Sequence, residues 1–144
     1  MRCALHKASN IIKFCLPNQQ QRVRSTDSAE TSGQWVDGGD IKATLLPDTQ
    51  LAVARSGEGD SNIRLFYQAQ DETIHQIMYK KNSQNWTERS AVFPKAYHGS
   101  GLAAVVAKRP GQAGGEVRVF YEGTDKKLKE HFMSTAGDWT QSKP

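Results

Sequence analysis

Two pairs of side chains that could grip a ligand recur at one spacing. Arg64 is followed by Gln76 and Arg118 by Glu130, each pair twelve residues apart. A guanidinium presents a planar fork of donors, and an amide or carboxylate supplies acceptors. On a solvated hairpin such a pair is an ordinary surface contact worth about 0–1 kcal/mol, so its surroundings carry the argument. Other chemistry is thinly represented. His75, His98 and His131 follow no metal-ligand spacing and are expected at the surface. Cys3 and Cys15 are the only cysteines, both in the opening segment, where they cannot staple the rest of the chain. The glycine-rich stretch from Pro110 to Gly115 lacks the strand–glycine–helix context of a phosphate loop. Glu116 and Glu122 stand in no evident constellation. No cofactor or metal is expected.

The surroundings of the two pairs repeat as well. Ile63-Arg64-Leu65-Phe66-Tyr67-Gln68 returns as Val117-Arg118-Val119-Phe120-Tyr121-Glu122, at an offset of 118 − 64 = 54. Ile74-His75-Gln76 returns as Leu128-Lys129-Glu130 at the same offset. Leu51-Ala52-Val53 resembles Leu102-Ala103-Ala104, and Trp35, Trp86 and Trp139 mark units of 51 and 53 residues. Four elements in the same order make an internal repeat rather than a chance match.

These residues need strands to position them. From Gly33 onward, short β-branched and aromatic runs alternate with Gly, Asp, Asn and Ser, the pattern of an all-β chain. Each unit holds an inner strand of small residues, an Arg strand, a Gln/Glu strand and an outer strand opened by Trp. Four strands in about 50 residues match one blade of a β-propeller. The expectation is about two four-stranded blades over residues 33–144, preceded by an irregular or disordered tail over 1–32. An odd-length hairpin loop around Gln70 or Thr124 sets Arg64 opposite Gln76 and Arg118 opposite Glu130. A blade cannot bury both its faces alone, so neighbours must come from other copies or from a longer chain.

The run I/V-R-V/L-F/Y-Y-Q/E, then I/L-x-Q/E, then W-T, resembles the blade motif of the fungal fucose-specific lectins. The resemblance covers roughly Gly33 to Trp139. It implies blades of a six-bladed propeller that binds L-fucose and fucosylated glycans between neighbours, without catalysis. Arg and Glu or Gln of one blade grip sugar hydroxyls in that family, and aromatics of the next blade cover the sugar. An indole suits the second task because its apolar face meets the sugar's C–H groups.

Carried over by position, the resemblance implies one site between the two repeats. Arg64 and Gln76 grip the sugar there, Trp139 is its platform, and Val117 lines the apolar side. A second site uses Arg118 and Glu130 and takes its wall, Ile63, Tyr79 and Trp86, from another copy. Three two-blade copies then close a ring, so a trimer is the expected assembly if the chain is not a fragment of a longer propeller. Tyr79 keeps the aromatic that the family places three residues after its Glu or Gln, whereas Met133 does not. With Met133 and the neutral Gln76, the first site is expected to be the weaker.

Composition bounds the alternatives. The 144 residues suffice for about one domain, with 37% hydrophobic and 24% charged residues. No apolar run approaches the roughly 20 residues of a membrane-spanning helix, so no membrane partner is expected. The net charge of +4 comes from scattered residues rather than a basic stripe, which argues against nucleic acid. No continuous apolar segment marks a secretory signal, leaving a cytoplasmic location as the default expectation. A glycosidase needs two carboxylates flanking one site, and the repeated site carries one at most. The remaining alternative to a lectin is a nonbinding propeller remnant or protein-interaction scaffold.

Overall fold

The computed structural model describes residues 2–6, 12–16, 23–28, 35–41, 43–56, 62–80, 85–107, 115–133 and 137–143. These residues form twelve strands in three antiparallel sheets of four. The first sheet comprises β1 (Arg2–His6), β2 (Ile12–Leu16), β3 (Val23–Ser28) and β4 (Trp35–Ile41). The second comprises β5 (Leu51–Ser56), β6 (Asn62–Gln68), β7 (Thr73–Lys80) and β8 (Asn85–Lys95). The third comprises β9 (Leu102–Ala107), β10 (Glu116–Glu122), β11 (Leu128–Met133) and β12 (Trp139–Gln141). Consecutive strands are neighbours within every sheet, and β5 touches both β1 and β9. The chain is a partial β-propeller whose blades meet through their first strands.

The expectation of an irregular tail over 1–32 is corrected by β1, β2 and β3, which pair in sequence and end on β4. Trp35–Ile41 is therefore the last strand of a sheet that starts at Arg2, and the described residues form three sheets rather than about two. The physical reason is that a strand ladder is made by backbone N–H and C=O groups, which every residue but proline carries. A polar run such as Val23-Arg24-Ser25-Thr26-Asp27-Ser28 can thus serve as a strand without looking like one.

Because side chains alternate across a strand, the second sheet buries two faces. Ala52, Ala54, Phe66, Ile74 and Phe93 pack against Val117, Val119, Tyr121 and Met133 of the third sheet. Ile63, Leu65, Tyr67 and Ile77 turn the other way, onto Ile41 and Leu45. The third sheet buries only one face among the described residues. On its other face Val105 is 49% exposed, with Phe120 and Phe132 half-buried.

The hairpins set the register. Arg64 stands opposite Met78 and Gln76 opposite Phe66, while Arg118 stands opposite Phe132 and Glu130 opposite Phe120. The pairing centres on Asp71 and Asp125, not on Gln70 and Thr124, so each expected pair is diagonal on one face instead of directly opposed. The turns explain the shift. Glu72 N donates to Ala69 O at 2.9 Å and Glu72 adopts φ +67°; Lys126 and Gly123 repeat this with φ +58°. This is a three-residue loop closed by a left-handed residue. Asp71 Oδ1 accepts from Thr73 N at 3.0 Å, and Asp125 Oδ1 from Lys127 N at 3.2 Å, which holds the aspartate at each apex.

A buried glutamine ties neighbouring blades together. The Gln68 amide is 1% exposed; its nitrogen donates to Tyr97 O at 3.0 Å, and its oxygen accepts from Gly99 N at 3.0 Å. These bonds hold the connection between β8 and β9 and so fix the third sheet beside the second.

Candidate functional site

A cavity of about 390 Å³ opens where the second and third sheets meet. Strand β6 contributes Asn62 and Arg64, and β7 contributes Gln76 and Met78. Arg89 reaches it from β8, directly opposite Gln76 across the ladder. The third sheet closes the other side with Met133 and Gly137. Strand alternation brings Arg64, Gln76 and Met78 to one face, since Arg64 pairs with Met78 and Gln76 lies two residues away.

Polar chemistry on this wall is only partly used. Arg64 Nε donates to Ser56 Oγ at 3.2 Å. Burial holds the Arg64 guanidinium below its ordinary pKa, and the nearby Arg89 charge pushes the same way. Gln76 is 1% exposed, and its Oε1 has no hydrogen-bond partner among the described residues. A buried amide oxygen without a donor is costly, about 1–3 kcal/mol, and a ligand hydroxyl or water is the kind of group that answers it. Glu88 also borders the cavity, but its Oε1 accepts from Tyr67 Oη and lies 3.2 Å from His75 Nδ1. Burial and the Glu88 carboxylate together push the Tyr67 phenol up.

The second candidate pair lies on the open face of the third sheet. Arg118 Nη1 donates to Glu130 Oε1 at 2.6 Å, and Arg118 Nη2 lies 2.5 Å from Glu116 Oε1. The two carboxylates raise the Arg118 pKa, Glu116 acting first and Glu130 second. The guanidinium also stands 5.9 Å from the centre of the Phe132 ring. One arginine here is cradled by two acids.

Several expected site residues lie elsewhere. Trp139 meets Phe66 edge-on at 5.7 Å and Phe93 at 4.8 Å, in the packing between the sheets. The cavity side expected for its indole is formed by Met133 and Gly137 instead. Val117 is fully buried beside Met133, its partner across the ladder, and does not line the cavity. Tyr79 and Trp86 pack on each other at 5.2 Å and, with Ile63, occupy the face of the second sheet opposite Arg64. His131, expected at the surface, is 6% exposed and packs on Phe93 at 4.4 Å.

Two residues escaped the reading of the sequence. Glu116 corresponds to Asn62 at the offset of 54, and only structure shows both beside the repeated arginine. Arg89 corresponds to Ser142, each opposite the Gln or Glu of its own sheet. Because neither position keeps its residue type, the repeat gave no signal there. Among the described residues, no group of three His, Cys, Asp or Glu side chains converges to hold a metal ion.

Three four-stranded antiparallel sheets packed side by side define a partial β-propeller. The fungal fucose-specific lectin family matches residues 3–144, and the chain belongs to it. It is 30% identical over 106 residues to the fucose-specific lectin of Aleuria aurantia, covering 68% of this chain and 31% of that protein. The chain therefore spans about a third of the curated relative's length. The solved six-bladed propeller of the Aleuria aurantia lectin superposes with a TM-score of 0.73 at 22% identity, covering 97% of this chain and 44% of the other. A fucose lectin from Kordia zhangzhouensis, solved with methyl-fucoside, superposes with a TM-score of 0.69 at 16% identity. That alignment covers 99% of this chain and 96% of the other.

Proposed function

We propose that this chain is a non-catalytic carbohydrate-binding protein that takes fucose or fucosylated glycans at sites between adjacent blades. The observation that carries the reading is the cavity between the second and third sheets. Arg64 and the unpartnered Gln76 oxygen share one of its walls, and Met133 supplies apolar surface across from them. Few polar groups on a partly apolar wall suit a sugar, which needs orientation more than charge. Catalysis is disfavoured by where the acids are. Glu88 is engaged by Tyr67 and His75, and Glu116 and Glu130 both serve Arg118.

Three copies suited two blades per chain; with three sheets among the described residues, a six-bladed ring takes two such segments. We therefore propose a homodimer in which the partner's first sheet covers the Arg118 face. Val105, Phe120 and Phe132 are the apolar surface it would remove from water.

Calorimetry with methyl α-L-fucoside on the intact chain, beside light scattering, tests both statements. Saturable heat and a particle of twice the chain mass are expected. Absence of fucoside binding overturns the lectin reading, and a monomer or trimer overturns the dimer.

A further inference from the structure

The two arginine sites have opposite charge balance. At the cavity, Arg64 is accompanied by Asn62, Gln76 and Arg89, giving two guanidinium charges and no carboxylate in the four equivalent positions. On the third sheet the same four positions hold Glu116, Arg118, Glu130 and Ser142, giving two carboxylates and one guanidinium. Lys80 adds a further cationic side chain to the cavity lining. The one acid in the cavity lining among the described residues, Glu88, has its Oε1 against the Tyr67 hydroxyl and the His75 ring. The guanidinium fork matches the planar or trigonal oxygens of carboxylates and sulfates, and two such forks in one recess favour a ligand that supplies the missing negative charge.

We infer that the cavity between the second and third sheets takes a saccharide bearing an anionic substituent, a sulfate ester or a carboxylate, held between Arg64 and Arg89. The inference rests on the reading of this cavity as a sugar site and narrows its ligand class. The Gln76 oxygen then accepts from a sugar hydroxyl, the Met78 and Met133 side chains meet the ring's apolar edges, and the substituent lies against the guanidinium groups. Physical support comes from Arg64 itself, whose charge is disfavoured by burial and by Arg89. An anion between them relieves both effects. The Arg118 site, already neutralised by its own carboxylates, has no such preference.

The chain supplies its own reporters. Met78 and Met133 are two of its three methionines, and both line the cavity. Methyl-¹³C-methionine protein is titrated separately with methyl α-L-fucoside, its 3-sulfate, a methyl glucuronide and sodium sulfate. The sulfated fucoside, the glucuronide, or both are expected to shift the Met78 and Met133 methyls with at least about tenfold tighter binding than the plain fucoside. The two charged arms show whether sulfate or carboxylate is preferred. Raising salt from about 0.05 to 0.5 M is expected to shrink the advantage, and Arg89→Gln to remove most of it. Should Arg89→Gln fail to fold, the salt series on the unaltered chain decides the same question. Equal affinity of plain and charged sugars at these methyls overturns the inference and leaves fucose binding standing. Inorganic sulfate binding as tightly as the charged sugars also overturns it. Calorimetric silence toward methyl α-L-fucoside, with methyl shifts from the charged sugars, supports the inference and removes the fucose reading instead.

Discussion

Arg118 and Glu130 meet at 2.6 Å although they do not face each other across their hairpin. Glu130 opposes Phe120, and Arg118 opposes Phe132, one pair further along the same face. The long arginine side chain bridges the diagonal and lies beside the Phe132 ring as it does so. In the second sheet the same diagonal separates Arg64 from Gln76, but there burial and the Arg89 charge both disfavour the guanidinium's charge. Identical backbone geometry thus produces a neutralised arginine in one blade and an electrostatically unsatisfied one in the other.

Removal of the two arginines should have unequal effects on stability. Arg118→Ala removes the guanidinium that bridges Glu116, whose side chain is only 12% exposed, and Glu130. The expected loss is about 1–3 kcal/mol, with part of it restored by adding Glu116→Gln. Arg64→Ala removes a bond to a serine hydroxyl and relieves the repulsion with Arg89, for an expected loss below about 1 kcal/mol. Urea unfolding of the three variants checks the order.

Phe93 should be the least dispensable ring in the packing between the second and third sheets. It lies 5.9 Å from Tyr121, 4.4 Å from His131 and 4.8 Å from Trp139, and is 2% exposed. Phe93→Ala is expected to cost about 3–5 kcal/mol. A red shift of Trp139 emission should accompany it, because the indole loses the ring that its edge rests on. A loss under about 1 kcal/mol would contradict the packing described.

Stability should fall with acid in a defined window because of His131. Burial holds its imidazole below the ordinary value, and the adjacent Tyr121 phenol, pushed up to about 12, stays neutral throughout. Between the folded value and the ordinary value of about 6.5, the unfolded chain binds a proton that the folded chain does not. Stability therefore rises with pH up to about 6.5 and is flat above it as far as this group is concerned. Thermal unfolding from about pH 5 to 7 should show that slope, and His131→Gln should flatten it. Asp71 and Asp125 act lower down. Thr73 holds the Asp71 carboxyl, and Lys129 the Asp125 carboxyl, below the usual range, so their contribution is lost only as pH falls below about 4.

The sequence by itself determined the strand chemistry and the repeat. Alternating apolar and polar residues and the matched runs around Arg64 and Arg118 are local signals, carried by residues close in the chain. They specified an all-β propeller segment and the arginine and Gln/Glu positions that share a face. Tertiary structure decided what those residues meet. The first sheet was missed because its ladder is built by the backbone, and polar strands such as β3 carry no apolar signature. The turn apex moved by one residue because Asp71 and Asp125 accept bonds from the residues two further on, and that shift turned direct pairs into diagonal ones. Trp139 went into the packing because Phe66 and Phe93 rise from the neighbouring sheet to meet it. Arg89 and Glu116 give the two sites their opposite charge. Both lie at positions where the repeats differ in residue type, and only the strand register and side-chain reach bring them to the arginines.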